Sequence, residues 1–522
     1  MSTDIIKYVS RYVVPFYFEY ENNGYENLKK HFLSDTIDKQ KLGLPRKGQW
    51  VEAGFWEKYN SGDDTQPEID LYSYLLSVFL EDKNTKEKDE SNLGISLVFK
   101  HNGDGKILKI DYNHEGTNIA FTFKDLGVLL FRNGIGFIWY EIAFDKEVSI
   151  DEYVCFQNIF KELARKENSF IRKFKKVKKG SEHKDKKSKE DIEEVNEPFG
   201  LGKWLSEVLA ADELGIRFWA ERNKTGDGNT IRIPDKALLF QYMFTEQTTN
   251  FESEKLVFHI ANGYDEKYNA PDNIAENLYK PFGNTCFYVS KSGMACVAIN
   301  YNTNNDFFTN EFQGKIIRDY FFIYLLLIYQ SYSCAHYSRL LTKLPADEEL
   351  FNKQVMYADR LESLNGQINL FLVKSVFESV SNIHHQNGFY RYGKKELCIE
   401  EDIRSLTIGL GALEEMVNDK RKQNELKERE IEREKREEHY RLEQAKLDEE
   451  KEKEEKRDRN LDHAVIVFGI MMFFSALIDG LSVVDWWKDN NGPTIPGHWV
   501  IIIVIGVFTL YLVIAILRNK KK

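Results

Sequence analysis

The chain is 522 residues long, 42% hydrophobic and 30% charged, with a formal charge of −11. That length leaves room for about two or three domains, and the acidic balance excludes a chain-wide basic footprint, so no direct nucleic-acid partner is expected. The five cysteines, at 155, 286, 296, 334 and 398, form no CxxC pair and no metal-ligand spacing, which points to reduced residues of a cytosolic domain and to no metal cofactor.

The opening stretch MSTDIIKYVSRY has no long apolar core and no cleavage pattern, so no signal peptide is expected, and the mass before residue 460 is expected in the cytoplasm. Up to about residue 160 the chain reads as short strands rich in aromatic and β-branched residues: YVVPFYFEY, GISLVFKH, KILKIDYN, NIAFTFK and IGFIWYEIAF. The separators HNGDGK (101–106) and RNGIG (132–136) carry hairpin chemistry. Glu152 to Arg172 reads as a helix, and the charged run 173–197, basic first and acidic second, as a disordered loop with little to bury.

Between Pro198 and Asn300 the pattern predicts a helix over Gly202–Leu209 and strands near 229–233, 255–261 and 286–300. Within this stretch RNKTGDGNT (222–230) is a Gly-rich polar loop bearing Arg222, Lys224 and Asp227, with Arg217 and Trp219 just before it. Such a mix of cations, glycines and an indole suits a small anionic ligand with a stacking ring, and a nucleotide second messenger is one candidate; a plain surface turn is the competing reading. No Walker motif, metal-ligand cluster or Ser–His–Asp arrangement stands out, so no cofactor is identified and an enzyme is not expected.

From Thr309 the chain turns helical. The apolar part Tyr320–Tyr329 is short and bounded by Arg318–Asp319 and Gln330–Ser331, which fits a core helix better than a membrane span. A second helix is predicted from about Asp347 to His385, a turn over FYRYGKK, and a third helix from about Ile399. No Pro or Gly occurs from Ala412 to Phe468, and opposite charges recur four apart at Glu425–Arg429, Glu432–Arg436, Glu437–Arg441 and Glu452–Lys456. As one helix, Ile403 to Asp462 would measure about 90 Å.

Two apolar runs close the chain, 464–484 and 499–517, each near the roughly 20 residues that cross a bilayer. Lys456, Arg457 and Arg459 precede the first, and Arg518 and Lys520–Lys522 follow the second. The link between them holds Lys488 against Asp485 and Asp489, with Trp486, Trp487 and Trp499 at the headgroup level. These flanks predict a multi-pass inner-membrane protein with both termini in the cytoplasm. The expected organisation is a cytosolic α+β head (1–308), a helical hairpin (309–398), a charged stalk helix (399–462) and a C-terminal transmembrane hairpin with a basic tail (463–522).

This order of elements from about Thr309 to Lys522 resembles the CorA family of two-span cation channels. The chain departs from the family at the outer end of the first span, where DGLSVVDWW stands in place of a Gly-Met-Asn motif. That departure, with the large head, resembles a divergent branch encoded beside type III CRISPR systems, whose members act as membrane effectors opened by a nucleotide messenger. The resemblance implies a homopentamer whose first span lines the pore. Helical spacing then sets Phe468, Met472, Ser475, Asp479 and Ser482 on one face of that span. A ring of Asp479 carboxylates would attract cations; in the opposing reading, Asp479 snorkels to the outer interface. The rivals to a ligand-gated channel are a membrane-anchored scaffold and a constitutive divalent-cation transporter.

Overall fold

A computed structural model describes residues 5–52, 71–72, 75, 78–79, 93–177, 192–344, 354–489 and 497–519, apart from 20–22, 35–36, 46–47, 101–106, 115–116, 165–169, 227–228, 247–249, 265–266 and 301–306. The HNGDGK separator and the charged run from 178 to 191 therefore lie outside the described residues.

The aromatic, β-branched runs of the first third form β1 (Ile5–Tyr17), β2 (Gln49–Glu52), β3 (Gly94–Lys100), β4 (Leu108–His114), β5 (Thr117–Phe131) and β6 (Ile135–Phe144). The RNGIG hairpin closes as expected, because Gly134 adopts φ +85° and its N–H reaches the Phe131 carbonyl at 3.0 Å. A capping box of Ser149 and Glu152 then starts α3 (Ile150–Lys161), after α1 (Gly24–Leu33) and α2 (Lys39–Leu42).

The predicted continuation of this helix to Arg172 does not form. Phe170 begins β7 (Phe170–Val177) and is buried against Tyr112 and Phe121, with ring centroids at 5.2 and 6.0 Å. The disordered loop expected at 173–197 is also corrected at both ends, since β7 pairs antiparallel with β8 (Ile192–Phe199). The register sets Lys175 opposite Glu194 and Lys176 opposite Glu193. A basic segment followed by an acidic one suits two strands that fold back on each other.

Next come α4 (Leu201–Val208), β9 (Arg217–Phe218), β10 (Glu221–Gly226), β11 (Asn229–Pro234) and β12 (Leu238–Thr245). The segment 255–261, expected as a strand, is the body of α5 (Asn250–Asn262). Its buried Val257, Ile260 and Ala261 recur at helical spacing, and the β-forming residue types had masked that period. β13 (Thr285–Ser290) and β14 (Gly293–Ile299) complete the strands.

Twelve of the described strands join one mixed sheet whose main path is β13-β14-β12-β1-β6-β5-β4-β7-β8. Only β12 and β14 are paired in parallel along it. β5 is long enough to change neighbours: its first half pairs with β4 and its second half with β3, on either side of an irregularity between Phe123 and Asp125. One face of the sheet carries α3 and α4, with Phe160 against Phe121 at 4.7 Å and Trp204 against Phe123 at 5.2 Å.

The other face is covered by the helices that follow residue 306. They begin with wide i→i+5 turns at Phe307–Glu311 and Ile316–Tyr320 and continue as α6 (Phe321–Lys343), α7 (Gln354–Ser375) and α8 (His384–Glu396). Tyr329 stacks on Phe131 at 3.9 Å, and Phe321 meets Phe240 and Trp139 at 4.7 and 5.5 Å. Every residue from Tyr320 to Gln330 is buried, as a core helix requires. Burial on both faces explains why β5 and β6 read as nearly continuous apolar runs.

Two helix boundaries differ from expectation. The helix predicted over 347–385 stops at Ser375, and FYRYGKK, predicted to turn, is the body of α8. The turn comes later, at Cys398, whose φ of +56° separates α8 from α9 (Ile399–Asp489). Residues 1–415 make one compact unit, which holds the sheet and the 309–398 helices alike.

Residues 416–522 make the second unit. It holds the rest of α9, unbroken to Asp489, and α10 (Gly497–Asn519). Along the charged part of α9, Glu432 pairs with Arg436 at 3.1 Å and Glu452 with Lys456 at 2.8 Å, while Glu437 meets Arg433 at 3.4 Å. These pairs and the absence of helix breakers keep a surface with nothing to bury helical.

Candidate functional site

Past His463 the side chains of α9 change from charged to apolar while their exposure does not. Phe468 and Met472 are each 63% exposed, and Ile478 is 66% exposed. In water such a surface would cost about 25 cal/mol per Å² of apolar area, a penalty that a hydrocarbon surround removes. By length and composition, α9 carries one stretch able to cross a membrane, and Ile501–Tyr511 in α10 is a shorter apolar stretch among the described residues.

The two helices touch where the sequence provides a gap. Gly469 lies against Tyr511, and a Cβ at that position would stand 2.8 Å from the ring. One turn on, the rings of Phe473 and Phe508 lie 3.7 Å apart. A cleft of about 670 Å³ runs along this contact, lined in part by Phe468, Met472, Val504 and Val507. Of the residues expected to line a pore, Met472 therefore borders this cleft, whereas Ser475 and Asp479 are exposed and are not among its lining residues. Ser482 lies on the same helix. Residues 490–496 of the link and the tail lysines 520–522 fall outside the described residues.

In the first unit, the two arginines expected to hold an anionic ligand each meet a carboxylate. Arg217 reaches Glu221 at 3.3 Å, and Arg222 reaches Asp235 at 2.6 Å. Both guanidinium groups are thus matched by acids of the same β-hairpin region. Lys224 lies in β10 opposite Ile231, within the β10–β11 hairpin, and Asp227 lies outside the described residues. Most of the Gly-rich stretch thus lies in β10 and β11, whose pairing runs to Gly226 opposite Asn229.

Trp219 points elsewhere. Its backbone N–H donates to the Pro15 carbonyl at 3.3 Å, and its ring meets Tyr332 at 5.0 Å and Tyr17 at 5.7 Å. Two residues that the sequence did not single out stand beside the same tyrosine. The Arg339 guanidinium lies 4.1 Å from the Tyr17 ring centre, and the His336 ring centre lies at 6.4 Å. His336 is 3% exposed, and neither ring nitrogen has a hydrogen-bond partner among the described residues; the same holds for Trp219 Nε1 and Arg339 Nε. The only sequence cue was the placing of His336 and Arg339 one turn apart on the polar end of an otherwise apolar helix.

Burial, reinforced by the charges of Arg339 and Lys343, pushes the His336 pKa down from 6.5 to about 4. The folded state then binds fewer protons than the unfolded chain between those values, so stability is fully present above 6.5 and is lost as pH falls toward 4. The loss is expected to reach about 3 kcal/mol. Thermal midpoints of the wild type and His336→Leu, compared from pH 7 to pH 4 without phosphate in the buffer, should move apart on this account, the wild type falling further as the pH drops; parallel curves would refute it.

Among the described residues no group of three His, Cys, Asp or Glu side chains is arranged to hold a metal ion. No family model matches the chain, and neither a curated protein nor a solved structure matches it.

Proposed function

We propose that the chain is a CorA-like, homo-oligomeric ion channel of the inner membrane, with both termini in the cytoplasm and a cytosolic head that senses a small anionic ligand. The observation that carries this reading is α9 itself, which passes without a break from a solvated charged surface to an exposed apolar one and there meets a second apolar helix. Two spans per chain cannot enclose an aqueous path alone, so conduction requires several copies, and the CorA likeness suggests five. Asp479, an ionisable group within the apolar run, is the residue assigned to the conduction path, where a ring of carboxylates favours cations. The ligand opens the pore to the extent that it binds the open arrangement more tightly than the closed one.

Reconstitution in liposomes tests the reading directly. Cation flux is expected from the folded oligomer, and Asp479→Asn should lower the cation-over-anion permeability ratio several-fold. A protein shown to be folded and oligomeric that passes no ions, with or without candidate anionic ligands, would end the channel assignment. Unchanged selectivity in the variant would return Asp479 to the membrane interface.

A further inference from the structure

Three nitrogen-bearing side chains from separate parts of the chain gather around the Tyr17 ring: Trp219 beside β9, and His336 and Arg339 near the end of α6. Each has at least one buried ring or guanidinium nitrogen without a hydrogen-bond partner among the described residues. A buried polar group left unmatched costs about 1–3 kcal/mol, and folded proteins seldom leave several in one place. An apolar residue at position 336 would carry no such cost in this aromatic setting, so the unmatched nitrogens call for a role.

The chemistry of the three groups narrows that role. Indole Nε1 and guanidinium Nε can only donate, and a neutral imidazole always offers one donor. A set dominated by donors, with the positive charges of Arg339 and Lys343 beside it, is matched to an oxyanion. Those two charges outweigh the roughly half negative charge at the C-terminal end of α6. Glu221, the carboxylate nearest in sequence to Trp219, is already engaged by Arg217 and by the Phe218 amide. Tyr17, Trp219, Tyr332 and Arg339 are half-buried whereas His336 is buried, so the cluster runs from the surface inward to the imidazole.

We propose that Trp219, His336 and Arg339 form a binding site for a tetrahedral oxyanion, phosphate or the phosphate end of a larger ligand, framed by the Tyr17 and Tyr332 rings. Donors arriving from different segments suit a tetrahedral group better than a planar carboxylate. The site deepens the sensing role proposed above and rests on it for its consequence alone, because binding can be read without any current. A flux failure with phosphate binding intact would overturn the channel and leave the site standing; the reverse result would do the opposite.

The test uses the full chain in detergent, titrated with inorganic phosphate at constant ionic strength held by chloride. The wild type should show a saturable rise in thermal midpoint and a saturable change in tryptophan fluorescence that Trp219→Phe removes. Arg339→Gln should weaken the midpoint response about tenfold or more, the scale of one charge-assisted contact. His336→Leu should start from a higher midpoint, since it removes an unmatched buried group, and then fail to respond. If His336→Leu does not fold, Arg339→Gln and Trp219→Phe decide the matter. No saturable phosphate response in the wild type would mean that the cluster takes no oxyanion, and an equal response in all variants would place the anion elsewhere; either overturns the proposal.

Discussion

Arg11→Met is expected to destabilise the 1–415 unit by about 3–5 kcal/mol, the usual consequence of stranding one member of a buried ion pair. Arg11 is 1% exposed in the middle of β1, directly across the ladder from Glu141 of β6, and its Nε donates to the carboxylate at 2.8 Å. The same guanidinium lies 4.4 Å from the Phe321 ring centre and donates through Nη1 to the Ile317 carbonyl at 2.6 Å. Ile317 belongs to the wide turn Ile316–Tyr320. One side chain thus pairs with a carboxylate of the sheet and bonds a carbonyl of the helical layer, and it ties the two layers together.

Methionine fills similar space but leaves the Glu141 carboxylate buried without its Arg11 partner. The double change Arg11→Met with Glu141→Leu should therefore recover most of the loss, because an apolar pair of similar volume has no charge to desolvate. Denaturant midpoints of the full chain and its variants give the comparison. A double variant as unstable as Arg11→Met would show that the Ile317 bond, not the ion pair, carries the stability.

Most of the sheet was legible because its strands use the residue types that strands prefer and its tightest hairpin carries an Asn-Gly pair. Misreadings came where residue type and period disagree. Val257, Phe258 and Ile260 are good strand formers, yet in α5 they are set by the face they bury. FYRYGKK holds a glycine and reads as a turn, but in α8 Gly393 admits the Leu327 side chain, so the residue that suggested a break is a packing device. The actual turn uses Cys398 at positive φ, a position where glycine or asparagine would have announced it.

The head's candidate site was harder for a different reason. Local reading grouped Arg217, Trp219, Arg222, Lys224 and Asp227 by nearness in sequence, and the fold then brought Asp235 to Arg222. Of that group Trp219 reaches the cluster built with Tyr17 and the end of α6, more than a hundred residues away. Spacing motifs cannot show such a site, because it exists only once the C-terminal helices cover the second face of the sheet. The charged helix and the apolar runs were legible for the opposite reason, since neither depends on distant contacts.

Exchanging residues 464–519 for an unrelated two-span hairpin should abolish ion flux in liposomes while leaving the thermal midpoint of the 1–415 unit unchanged. The reasoning rests on how specific the α9–α10 contact is. An anchor needs only apolar length, but here Gly469 is shaped to receive Tyr511, and Phe473 meets Phe508 one turn further on. Close approach at a small residue is the main way helices associate in a bilayer, where the hydrophobic effect no longer drives them together. Gly469→Leu applies the same argument at one position: the added side chain must displace the Tyr511 ring, so flux should fall sharply although membrane insertion, favoured by leucine, is retained. A scaffold held by this hairpin would tolerate both changes. Full flux from the exchanged hairpin would place conduction outside these helices, whereas loss of flux together with a lowered midpoint for the 1–415 unit would trace the defect to folding and remove the support this experiment offers to the channel.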